Sequence, residues 1–315
     1  HDDGSAKYYA SSKKKKELLS NDPSVKVGKF DNGLTYYIHN NTYPKDRLEL
    51  LLVVNTGSVM EDDDQQGLAH FAEHMAFNGT HKYPKQDLVD YLESIGMKFG
   101  PDLNAYTSFD ETVYMLQLPV DDSSIVEKGF EILSEWAFNI SFDNEEIDKE
   151  RGVIVEEWRL RRGAEQRIRD KKLPIYFKDS KYAERSPIGK MEIVENFDYD
   201  VIKRFYKDWY RPDLMAVVAV GDYEIDKIES LITKYFDIDN KVSNPRKRVI
   251  EDVPSFDNYR IAIGSDPELP MPSVGLTYFT EPSNEELTMK NYKKSLCKQI
   301  VSSMLNMRLS ELTKK

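Results

Sequence analysis

The chain has 315 residues, 40% hydrophobic and 31% charged, which suits a globular protein with room for two buried cores. Its net charge of −11 argues against nucleic acid or an anionic membrane as partner, and no apolar run approaches transmembrane length. The single cysteine, Cys297, excludes an internal disulfide and a cysteine-based zinc site; it lies in a helical stretch and reads as a small buried hydrophobe.

Residues up to about Asp22 are polar, carry Lys13 to Lys16, and read as a flexible lead-in with a solvated lysine run. Leu34–Asn40 and Leu48–Asn55 read as strands. Gln66–Phe77 is then an apolar helical segment that contains His70, Glu73 and His74. Four residues apart, the two imidazoles lie about 40° from one another on the helix surface. Two neutral imidazoles so placed can bind one Zn²⁺. Glu73, between them, can reach a metal-bound water without taking a coordination position. One histidine on an apolar helix is ordinarily a core residue with a satisfied hydrogen bond. Two histidines with a glutamate arise by composition alone in roughly one such chain in a hundred. Three polar groups on an apolar helix also cost stability unless something satisfies them.

Lys85–Ser94 reads as a helix, Val113–Leu118 as a strand and Ser123–Ala137 as a helix. Glu145–Arg162 is the next helix, with Asp143 and Glu146 marking its start. Ile147, Ile154 and Trp158 share one face of it. Projected at about 100° per residue, Glu150 and Glu157 flank that face, while Glu156 points nearly the opposite way. A metal would satisfy one of the two inward carboxylates, and the other could orient a ligand histidine. By itself the helix reads as an acidic, solvated one; the histidine pair turns the balance toward a metal site. Asp200–Trp209 follows as a helix, Met215–Gly221 as a buried strand and Ile225–Phe236 as a closing helix. A polar stretch then leads to strand signals at Tyr259–Ile263 and Ser273–Phe279 and a long helix from about Asn284 to Leu312. The order of elements predicts an α+β fold, helices packed on a largely antiparallel sheet.

H-x-x-E-H followed by Glu150-Arg151 through Glu157 resembles the inverzincin zinc peptidases, which include pitrilysin, insulin-degrading enzyme and the mitochondrial processing peptidase. Other segments agree in order and spacing over about two hundred residues. They are Asp31 to Tyr37, Thr56-Gly57-Ser58, Phe77 to Thr80, Leu103 to Ser108, Ser186 to Gly189, Trp209 to Pro212 and Val218 to Asp222. The resemblance implies that His70, His74 and Glu157 hold one Zn²⁺ per chain, that Glu73 is the base, and that Glu150 supports the site without being a ligand. It implies that Asn104 and Ala105 hold an extended peptide and that Tyr106 lines the pocket near the scissile bond. The gap between His74 and Glu157 is a few residues longer than usual, as an insertion around Pro119–Asp122 or Ser141–Asn144 would explain. Strand addition at Asn104 would read backbone, so sequence preference would be loose.

The expected reading is a zinc-dependent endopeptidase of unfolded peptides, using a metal-activated water and a glutamate base. The alternative is a non-catalytic, chaperone-like peptide-binding subunit of the same fold. The expected division is a lead-in over 1–22, a catalytic α-β sandwich over 23–240, a linker over 241–254 and the start of a second, similar domain over 255–315. That last piece leaves a sheet face and edge uncovered. The expected partners are peptide substrates and a second half of the same protein or a partner subunit, without which the segment is weakly active. No nucleic acid and no transmembrane segment are expected. The location expected by analogy is the periplasm or envelope of a bacterium, with the cytoplasm as alternative.

Overall fold

The computed structural model describes residues 18–95, 97–98, 100–279 and 287–314. The lysine run at Lys13 to Lys16 and residues 284–286 of the expected last helix lie outside the described residues. The chain falls into two compact units, residues 24–276 and residues 1–23 with 277–315.

The larger unit contains six strands: β1 (Val25–Lys29), β2 (Thr35–Asn40), β3 (Arg47–Val54), β4 (Leu103–Thr107), β5 (Thr112–Pro119) and β6 (Met215–Gly221). They form one sheet in the order β1-β2-β6-β3-β5-β4. Every neighbouring pair is antiparallel except β2 with β6, so the sheet is largely antiparallel, as expected. The period of two is explicit in β3, where Leu48, Leu50, Leu52 and Val54 are fully buried and the residues between them only partly so. Met215, Val217, Ala219 and Gly221 repeat the pattern in β6.

Helices cover the buried face. They are α1 (Leu68–Met75), α2 (Asp87–Ser94), α3 (Ser123–Phe138), α4 (Asn144–Arg161), α5 (Ala164–Tyr176), α6 (Met191–Val194), α7 (Tyr199–Trp209) and α8 (Ile225–Phe236). α3 lies on β3 and β5, α8 on β2, and α1 on β4 and β5. Trp136, Tyr114, Phe71, Phe130, Phe205 and Phe236 are the largest fully buried side chains of this core. α4 begins where expected, because the Asp143 carboxylate accepts from the amides of Glu145 and Glu146.

The structure departs from the sequence expectation in several places, the short helix α6 among them. β1 is an added strand; its five residues, only partly buried, give almost no hydrophobic signal. α5 is an added helix; its one buried residue is Ile168 and it contains Pro174. Tyr259–Ile263 and Ser273–Phe279, expected as strands, are not strands. Their side chains Tyr259, Ile261, Ile263, Val274, Leu276 and Tyr278 are exposed, and β propensity alone does not make a strand without a paired neighbour.

In the smaller unit, α9 (Met289–Thr313) is capped by the Thr288 hydroxyl, which accepts from the Asn291 amide, and Leu18 bridges Thr288. Cys297 is exposed on this helix rather than buried as expected, because no residue of α9 is buried.

Candidate metal centre

α1 carries His70, Glu73 and His74 into the interior, and its two ends are pinned by side chains from elsewhere in the unit. At the N-terminus Gly67 takes φ +105°, and a Cβ there would lie 2.9 Å from Val194 Cγ2. The fully buried Glu61 carboxylate accepts from the amides of Gly67 (3.1 Å) and Ala69 (2.8 Å), satisfying donors that a helix start otherwise leaves free. At the C-terminus the Trp136 indole donates to Ala76 O at 2.9 Å.

Burial pushes the Glu61 carboxyl up to about 8, against the pull of the two amides and of Arg185. A carboxyl whose folded value lies above its ordinary value of 4.5 holds its proton longer in the folded chain. The stability it confers is therefore complete below about pH 4.5 and is lost as pH rises through about 8. Within that window stability is expected to fall by about 1.4 kcal/mol per pH unit relative to Glu61→Gln, which keeps an acceptor for both amides and does not titrate. Thermal unfolding of the two proteins from pH 4.5 to 8 measures this; parallel curves would refute it.

His70 is buried and its ring centre lies 4.6 Å from that of His74. His74 Nδ1 sits 2.6 Å from Glu150 Oε1, and Glu150 Oε2 accepts from the Asn78 side chain at 2.5 Å. Glu150 thereby fixes the ring of His74 and leaves Nε2 facing inward. Both Nε2 atoms face Glu157 Oε2, from His70 at 3.6 Å and from His74 at 3.5 Å. Glu157 Oε1 is held by Arg161 at 2.5 Å. Glu156, one residue away, is exposed and pairs with Arg159. α4 thus delivers Glu150 and Glu157 to one side and Glu156 to the other.

Ligand atoms of His70, His74 and Glu157 all lie within 4.8 Å of one another. The gaps of 3.5 and 3.6 Å are too long for strong hydrogen bonds, and Glu157 Oε2 is buried without one. Two ligands of a single tetrahedral zinc, each about 2.1 Å from it, stand about 3.4 Å apart. Two imidazoles and a carboxylate so placed fit a Zn²⁺ ion with a position left open. Burial and the neighbouring His74 lower the pKa of His70. Burial opposes a charge on His74, but Glu150 and Glu157 outweigh it and raise its pKa to about 9. His74 itself depresses the Glu157 carboxyl.

Glu73 is buried beside this group but takes no part in it. Its Oε2 accepts from the Thr107 hydroxyl at 2.5 Å. Burial raises its carboxyl, and the Thr107 hydrogen bond opposes the rise. A cavity of about 440 Å³ opens here, lined by Glu73, His74, Phe77, Val89, Asn104, Ala105 and Val153. Asn104 and Ala105 therefore stand on β4 at the edge of the cleft. Tyr106, the next residue on β4, is not among these lining side chains. It shares the exposed face of β4 with Asn104, and its hydroxyl bonds Glu111. Glu61, Asn78 and Thr107 do not stand out in the sequence. Asn78 and Thr107 belong to segments that carry the family resemblance, but nothing in the chain's order tells which atoms they meet.

Residues 36–180 match the family described as Insulinase (Peptidase family M16), and residues 196–307 match the Peptidase M16 inactive domain. The chain is 40% identical over 294 residues to the probable zinc protease PqqL of Haemophilus influenzae, covering 93% of this chain and 32% of that protein. It is 38% identical over 289 residues to the zinc protease PQQL-like of Arabidopsis thaliana, covering 91% of this chain and 30% of that one. Among solved structures, the first half of the periplasmic protease PqqL from Escherichia coli superposes with a TM-score of 0.71 at 38% identity. That match covers 74% of this chain and 50% of the other. The chain spans about a third of the length of these two full-length relatives. Its zinc-binding motif, its fold and these matches agree: the chain belongs to peptidase family M16, the insulinase family.

Proposed function

We propose that this protein is a zinc-dependent endopeptidase of unfolded peptides, with His70, His74 and Glu157 as metal ligands and Glu73 as general base. The observation that supports this most directly is the convergence of two imidazoles on one buried carboxylate oxygen that makes no hydrogen bond, with a second carboxylate alongside. A Zn²⁺ ion held there supplies Lewis acidity to a water and to the scissile carbonyl. Glu73 takes the proton from the attacking water as the new C–O bond forms, then gives it to the leaving amine as the C–N bond breaks. Glu150 keeps the His74 ring in one orientation, and Arg161 holds Glu157 so that its second oxygen faces the imidazoles. β4 pairs with β5 along one edge, and among the described residues its other edge is free. A peptide in extended form would add to that edge beside Asn104 and Ala105.

The length of the relatives supports a second half of the protein, or a partner subunit, as the other wall of the site. The similar Escherichia coli protein is a periplasmic protease, which supports the same compartment for this one. The test uses the full-length protein. It is expected to carry about one zinc per chain. Chelation is expected to abolish hydrolysis of an unstructured peptide, and zinc to restore it. Hydrolysis that survives complete removal of metal would overturn the proposal.

A further inference from the structure

We propose that Thr107 is a positioning residue: its hydroxyl aims the Glu73 carboxylate, so the strand that would hold the peptide also sets the base. The proposal rests on the role given to Glu73 above and adds the group that orients it. Thr107 is the last residue of β4, three positions beyond Asn104. Its Oγ1 donates to Glu73 Oε2 at 2.5 Å, and among the described residues no other side chain donates to that carboxylate. A glutamate has three rotatable torsions, and one firm donor on one oxygen removes most of that freedom. The other oxygen is then left for a proton from substrate water.

The donor is itself fixed. Thr107 pairs in register with Thr112, and the two hydroxyl oxygens lie 3.4 Å apart. Thr112 is buried, and its hydroxyl donates to Thr56 O at 3.0 Å. Branching at Cβ restricts the Thr107 rotamer as well. Neither hydroxyl touches a proposed metal ligand, so this chain of contacts ends at the base. A peptide added to the outer edge of β4 would stiffen the strand whose end holds Glu73. Substrate binding and base orientation would thus share one element.

The experiment compares Thr107→Val, Thr107→Ala, Thr107→Ser and Glu73→Gln in the full-length protein, reading kcat, KM and zinc content for an unstructured peptide. Valine keeps the shape and strand propensity but removes the hydroxyl. Alanine removes it without any risk of overpacking. Both are expected to lose ten- to a hundredfold in kcat, as misplaced catalytic groups do, with zinc content and KM within about twofold of native. Serine is expected to recover kcat to within about threefold of native, since only the methyl is lost. A merely structural role would lower zinc content or raise KM and would not be rescued by serine. Native kcat in Thr107→Ala, or a Thr107→Ser enzyme as slow as Thr107→Ala, overturns the proposal. If Glu73→Gln is inactive while Thr107→Ala is not, the positioning role alone fails. If Glu73→Gln itself cleaves at the native rate, the role assigned to Glu73 fails.

Discussion

Glu73→Gln is expected to keep its zinc and lose peptide hydrolysis by at least 10²- to 10⁴-fold, the span commonly supplied by a positioned base. The structure sets Glu73 apart from the three proposed ligands. Glu73 bonds Thr107 and stands outside the trio formed by His70, His74 and Glu157. His70→Ala, in contrast, removes one of two imidazoles and is expected to lose both metal and activity. Metal analysis and peptide hydrolysis on the same preparations decide the matter. If the glutamine variant loses zinc as completely as His70→Ala, Glu73 is part of the binding set and the division of roles is wrong.

The second large effect separates three acids on one helix. Glu157→Gln replaces the oxygen on which both Nε2 atoms converge and is expected to weaken zinc binding severely. Glu150→Gln leaves the ligands in place but alters the bonds to His74 and Asn78. A fall in affinity of about 10–100-fold is expected, the usual consequence of disturbing a group that orients a ligand. Glu156→Gln touches only an exposed pair with Arg159 and is expected to be silent within experimental error. Competition with a fluorescent zinc chelator gives all three constants. Equal losses at 156 and 157 would contradict the face of α4 seen here.

Much of this site is legible in the sequence because it lies on two helices. Helical periodicity alone places His70 with His74 and sets Glu157 apart from Glu156, and the packing keeps those faces. The central strands are equally clear, since β3 and β6 are short apolar runs rich in Leu, Val and Ala. What fails is whatever depends on the partner a segment meets rather than on its own period. Tyr259–Ile263 has the composition of a strand but no strand to pair with, and β1 pairs well despite a weak pattern. Thr107 meets Glu73 across 34 positions and Glu61 reaches Ala69 around a left-handed turn, contacts that no local pattern encodes.

The edge of β4 that is free among the described residues is only five residues long. At about 3.3 Å per residue it spans about 17 Å, so main-chain pairing there can register about five residues of a guest peptide. Discrimination beyond that window would have to come from surfaces outside the sheet. The same brevity would limit pairing between copies of this sheet. An uncovered edge invites identical molecules to stack strand on strand, and short edge strands are one way natural proteins limit such growth. A docking rail this short would give an incoming chain a place to lie while offering a second copy of the sheet very little to extend.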